Sequence, residues 1–154
     1  MPFRTASGRR PARPRSATTL LELLLVLAML AVVAAMAIPV AGRREDRRRA
    51  HGAALHAATV LGGARAEAVA RGSPVAVALD TAAGILRVIA NAGGDTLRTR
   101  DLATLFGVRL RATRDSLAYD ARGLGVGAAN LTLVFTRGAA SETLVVSRLG
   151  RLRW

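Results

Sequence analysis

From Leu23 to Ala41, nineteen consecutive residues carry no charge and no hydrogen-bonding side chain, and the run has no polar face. About 20 residues of helix span roughly 30 Å of hydrocarbon, so residues 18–41 read as a helix long enough to cross a bilayer. The pattern then changes. Between Gly42 and Gly72 the chain is alanine-rich and free of proline. Leu55, Ala58, Leu61, Ala68 and Val69 recur near helical spacing there, with arginines and Glu67 elsewhere around the wheel. This predicts that the helix continues over 42–72, is weakened at Gly62-Gly63, and stops where Gly72 precedes Ser73-Pro74.

After Pro74 the period becomes two. "VAVALD" (75–80), "ILRVIA" (85–90), "GVRLRA" (107–112), "LTLVFT" (131–136) and "ETLVVS" (142–147) each read as strands, with "RGAAS" (137–141) as a hairpin loop and "RLRW" as a short last strand. Strands at this spacing without long helices between them predict an α+β fold. A long N-terminal α-helix packs against an antiparallel β-sheet head covering 73–154.

Composition sharpens this in three places. Formal net charge is +13 from 23 basic residues, all of them arginine, and 10 acidic ones. Without lysine there is no amine nucleophile or Schiff base, and arginine stays charged and forks onto phosphate or carboxylate. Zero cysteine removes disulfides, thiol catalysis and zinc–thiolate sites together. Residues 1–17, "MPFRTASGRRPARPRSA", hold five arginines, three prolines and no acid, too little apolar surface to fold, and read as a basic leader.

Glu22 stands at the mouth of the apolar run, where a carboxylate is expensive. The run is too long and too uniformly apolar for a core helix. Two readings of the residues stay open. One is a secretory signal peptide cut after Ala35-Met36-Ala37, before Ile38. The other is a membrane helix whose buried charge is functional. Charge does not orient such a helix: "RREDRRR" (43–49) matches the leader's five arginines, so the positive-inside rule is silent.

Ala17, Thr18, Thr19, Leu20, Leu21 and Glu22 resemble the start of a type IV pilin or type II secretion pseudopilin precursor: a basic leader, a small residue, the first mature residue, then Thr-Leu-x-Glu opening an apolar helix. Pro39 stands where that family carries a proline deep in the membrane helix. Two positions depart from the pattern: glycine usually precedes the cut, where Ala17 stands, and phenylalanine or methionine usually follows it, where Thr18 stands. "GARAEAVARGSPVAVAL" (63–79), "YDARGLGVGAANLTLVF" (119–135) and "VVSRLGRLRW" (145–154) are similar to GspH/FimT-type minor pseudopilins.

The resemblance implies cleavage between Ala17 and Thr18 by the prepilin peptidase and N-methylation of Thr18. It also implies a single-pass inner-membrane protein of a Gram-negative bacterium with its head in the periplasm. Partners would be other minor and major pseudopilins or pilins, the inner-membrane assembly platform and membrane lipid. Glu22 of one subunit would neutralise the Thr18 amine of its neighbour, with Pro39 loosening the helix; simple N-terminal capping is the plainer account of Glu22.

The implied function is a minor pseudopilin, a structural subunit that starts or caps a type II secretion pseudopilus. The alternative is a FimT-like minor type IV pilin that binds DNA for uptake. For DNA the candidates are Arg137, Arg148, Arg151 and Arg153, with Trp154 for stacking. The same arginines suit an acidic neighbouring subunit, or are only solvated or paired with acids such as Glu142. His51 and His56 are five apart, off the spacing that puts two metal ligands on one helix face. With no nucleophile motif or phosphate loop either, no enzyme activity, metal or cofactor is expected.

Overall fold

The computed structural model describes residues 19–90, 94–127 and 130–154, side chains of 36–41 excepted. Helix α1 spans Leu20–Arg71 and is followed by β1 (Val75–Asp80), β2 (Ile85–Ala90), β3 (Thr96–Asp101), α2 (Leu102–Phe106), β4 (Arg109–Ala112), β5 (Ser116–Tyr119), β6 (Leu131–Arg137), β7 (Ala140–Val146) and β8 (Leu152–Arg153). The chain forms two compact units, Met1–Ile38 and Pro39–Trp154. Among the described residues no helix is long and apolar enough to cross a membrane. The side chains described in the apolar run end at Ala35, short of the expected segment at both ends.

The second unit is the α+β head. Its strands form not one sheet but two, both antiparallel and four-stranded, in the orders β3-β2-β1-β5 and β4-β6-β7-β8. Alternation puts Val75, Val77 and Leu79 of β1 and Leu131, Leu133 and Phe135 of β6 inside. The helix stripe that meets them is nearly all alanine: Ala50, Ala53, Ala54, Ala57, Ala64 and Ala68 are buried around Val60 and Leu61. Small side chains at three- and four-residue spacing let the strands come close to the helix backbone. Of the expected stripe, Ala58, Leu61 and Ala68 are buried, but Leu55 and Val69 are 54% and 52% exposed. At 100° per residue Leu55 is carried well away from the face that Leu61 defines.

The helix stops as its sequence predicts. Gly72 takes φ 59°, its N–H donates to the Val69 carbonyl (3.2 Å), and the Ser73 N–H donates to that of Ala68 (3.3 Å). This Schellman pair satisfies carbonyls that the helix end leaves open, and Pro74 prevents continuation.

Other boundaries moved. The "RGAAS" loop shrinks to Gly138-Ala139, because Arg137 pairs with Ala140. Gly107 belongs to no strand: it caps α2 at φ 63°, its N–H donating to Ala103. At the other end of α2, the Asp101 carboxylate accepts from the Thr104 N–H at 2.8 Å and hydroxyl at 2.7 Å. Those bonds hold the Asp101 carboxyl below its ordinary range.

Candidate functional site

In the first unit, Thr19 caps the helix. Its hydroxyl accepts the Glu22 N–H at 3.2 Å and its carbonyl accepts the Leu23 N–H at 3.1 Å. "TLLE" therefore has the spacing of a capping box, with glutamate at the third helical position. The Glu22 carboxylate is exposed and makes no hydrogen bond or ion pair among the described residues. Around it Leu20 and Leu21 are 76% exposed, and from Leu23 to Val33 the side chains stay apolar and uncovered, all of them large except Ala28 and Ala31. Ala17 and Thr18 lie outside the described residues. Pro39 falls within the helical assignment, where its missing N–H removes one backbone bond.

The basic run 43–49 is partly spent inside the chain. Arg49 donates to Glu45 at 2.6 Å, one turn away, and this bond holds the Glu45 carboxyl below its usual value. Asp46 reaches further and accepts from Arg137 Nε at 3.0 Å. Arg137 Nη1 also donates to the carbonyls of Phe106 (2.8 Å) and Gly107 (2.9 Å). One half-buried guanidinium thus ties α1, the end of α2 and the β6–β7 hairpin together. A Cβ at Gly107 would collide with this guanidinium, and one at Gly138 with the Asp46 carboxylate.

Arg137 therefore stands apart from the other three candidate arginines. It opens the hairpin turn, whereas Arg148 follows the opposite end, where Leu131 pairs with Val146. A seven-residue strand puts about 20 Å between those ends. Arg148, Arg151 and Arg153 do come together around β8. All three are exposed, and among the described residues none of their guanidiniums makes a hydrogen bond or ion pair. Backbone bonds fix the turn beneath them: Ser147 N–H donates to Arg151 O (2.9 Å), Gly150 N–H to Ser147 O (2.8 Å), and Arg151 N–H to the Ser147 hydroxyl (3.1 Å). Arg151 and Arg153, two apart, share a face, while Leu152 packs on the core.

The helix anchors this stretch at two points that spacing alone did not reveal. Trp154 lies 5.7 Å from the His51 ring, and His51 Nδ1 is 3.7 Å from Glu142. Gly150 is buried at φ 71°, where a Cβ would meet the Arg65 side chain at 3.3 Å. Buried Gly123, φ 74°, approaches the same side chain, a Cβ there coming to 3.0 Å of Arg65 Nε. So the glycines of "YDARG" and "GRLR" close on one helix arginine. Within the first turn, Asp120 accepts backbone N–H bonds from Leu124 and Arg122, both 2.9 Å, and these lower its pKa. Beside it, burial pushes the Tyr119 hydroxyl up to about 12, partly opposed by the Arg65 charge.

The His56 ring lies 5.9 Å from that of Phe106, tilted 56° to it, away from His51's neighbours. Among the described residues no three potential metal ligands gather.

The GspH family, described as type II transport protein GspH, matches residues 53–150. Pilin-like protein PilA1 of Thermus thermophilus is 35% identical over 155 residues, covering 90% of this chain and 97% of its own. Two crystal structures of the type IV minor pilin FimU of Pseudomonas aeruginosa share the fold. Their TM-scores are 0.56 and 0.59 at 21% identity, covering 67% and 70% of this chain and 90% and 88% of theirs. The chain belongs to the GspH family and is a pilin-like structural protein, not an enzyme.

Proposed function

We propose that this protein is a minor pseudopilin that helps start or cap the pseudopilus of a type II secretion machine. In this reading the prepilin peptidase cuts between Ala17 and Thr18 and methylates Thr18. Residues 18–41 anchor the chain in the inner membrane until the assembly platform draws it among other pseudopilins, with the head in the periplasm. The observation that carries this reading is Glu22, exposed and, among the described residues, without an ion partner beside a helix face of uncovered leucines. An unpaired carboxylate costs several kcal/mol in a medium without water, so it needs a cation there. The Thr18 amine of a neighbouring subunit supplies one, and the pairing sets the axial register.

Mass spectrometry of the mature protein tests the cut. A chain starting at Thr18, with or without one methyl group, supports the reading, and a start at Ile38 sinks it. Glu22→Ala should leave membrane insertion intact and reduce incorporation into the filament at least tenfold. Normal incorporation would refute the pairing.

A second reading, DNA capture for uptake, is favoured by Arg148, Arg151 and Arg153, three exposed cations unpaired among the described residues, on the stretch that ends in exposed Trp154. Arg137 is not carried into it, since its guanidinium is occupied. Phosphate contacts make affinity fall steeply with salt, by about one unit of log–log slope per contact. Arg151→Ala with Arg153→Ala should therefore flatten the salt dependence of DNA affinity by roughly two units. No binding by the unsubstituted protein at low salt ends this reading.

A further inference from the structure

The two sheets have four edges, and they are treated differently. The β5 edge is covered: the Val126 N–H donates to the Ala118 carbonyl at 2.9 Å, and Gly125 bridges Tyr119. The β8 edge is two residues long. β3 is exposed and carries Arg98 and Arg100, with a bulge opposite it between Val88 and Ile89, the usual devices that discourage pairing.

β4 differs from all three. It runs along a groove of about 520 Å³ that is also lined by Thr81 and Gly84 of the β1–β2 turn and Ala103 of α2.

Register shows what β4 presents to that groove. Thr113 donates its N–H to Thr132 O at 3.1 Å, continuing the pairing in which Ala112 faces Leu133. Antiparallel residues alternate between bonding to the partner and turning away, so Arg109, Arg111 and Thr113 bond to β6. The N–H and C=O of Leu110 and Ala112 then point to the open side, and among the described residues no hydrogen bond reaches them from there. The Leu110 side chain is buried, while Arg109 and Arg111 are exposed and make no side-chain hydrogen bond or ion pair among the described residues.

We propose that the β4 edge is a docking site for an extended, acidic segment of a partner protein, which adds to the second sheet as a fifth strand. Backbone bonds to Leu110 and Ala112 would supply affinity, and side chains at alternate positions would supply specificity. Carboxylates on one face of the incoming strand lie opposite Arg109 and Arg111, within the 4.5–5.5 Å spacing of cross-strand pairs. Apolar side chains on its other face lie beside Leu110. Charge selects the occupant: a second copy keeps a large positive excess, +8 even without the five arginines of residues 1–17, and is repelled, so the strand comes from a different, acidic protein.

The probe is a ten-residue peptide alternating valine and glutamate, titrated into the full chain in non-ionic detergent. It should bind with amide shifts centred on residues 108–112, and a valine–lysine peptide should not bind. Arg109→Ser with Arg111→Ser should weaken binding at least tenfold. Two further peptides are N-methylated at every valine or at every glutamate. Only one face of the strand bonds to β4, so one of these peptides should bind and the other should not.

Unchanged affinity in the double variant, equal behaviour of the two methylated peptides, or shifts centred on Arg148–Trp154 would each overturn the proposal. It does not rest on the N-terminal pairing. Glu22→Ala should bind the peptide normally, so the two readings fail separately.

Discussion

The two ends of α1 use apolar side chains in opposite ways. Between Leu20 and Val33, Ala28 and Ala31 apart, they are large and exposed, from 49% at Val26 to 76% at Leu20. Between Ala50 and Ala68 they are mostly alanine, and the buried ones are covered completely or nearly so. Where the helix has a partner in its own chain, small side chains suffice because the strands supply Phe135, Leu131 and Leu133. Where the side chains are large, nothing in the described chain covers them, and so long an exposed apolar run marks an interaction surface. The contrast teaches that one helix carries two kinds of apolar face, and side-chain size records which of them its own chain covers.

Three experiments press on that contrast. The largest effect comes from paired truncations. Phe135→Ala should cost the head about 3–5 kcal/mol in denaturant unfolding, the usual range for a fully buried phenylalanine. Leu27→Ala, on the exposed run, should leave the same midpoint unchanged within about 0.5 kcal/mol. Equal losses would mean that the first stretch is covered by the head after all.

Arg137→Ala comes next. Asp46 is the first helix residue, among those described, whose side chain is bonded to a strand of the head. Removing its partner also strands two carbonyls, for an expected loss of about 1–3 kcal/mol. Arg47→Ala, close by on the helix, should cost little. An equal loss in the two variants would show that charge, not this three-way tie, matters there.

The smallest effect is a pH dependence confined to the head. Asp101 and Asp120 have folded pKa values below their unfolded ones. Their contribution is therefore fully present above the ordinary carboxylate range, about 3.9, and is lost as pH falls through the lower folded values. Asp120→Ala should make the acid-side decline in melting temperature shallower, and an unchanged profile would remove Asp120 from this role.

Much of this fold is legible in the residues. The helix stop at Gly72, the strands β1, β2, β6 and β7, and the α+β class all follow from period and punctuation. Three elements are not legible, for physical reasons. β3, "TLRTRD", is an edge strand with only partial cover, held by pairing with β2, so no alternation marks it. β5 is four residues long with two buried side chains. α2 is too short to show a helical period, although Asp101, Thr104 and Gly107 were a readable pair of caps. Two sheets instead of one depend on which strands pair, which alternation does not encode.

The candidate sites divide in the same way. Charge runs showed where arginines cluster in sequence, but only the fold separates occupied Arg137 from Arg148, Arg151 and Arg153, whose guanidiniums have no partner among the described residues. Arg65, which no spacing singled out, proves central to both glycine turns.

That last contact means the arginine-bearing end is not a detachable module. Its entry is seated on Arg65 through Gly150, and its last ring rests by His51. Grafting the final residues onto a relative would carry the charges but not their aim unless the two helix side chains travelled with them. Because Gly123 leans on the same arginine, a substitution at Arg65 should be felt in the 120–127 loop and at the C-terminal turn together.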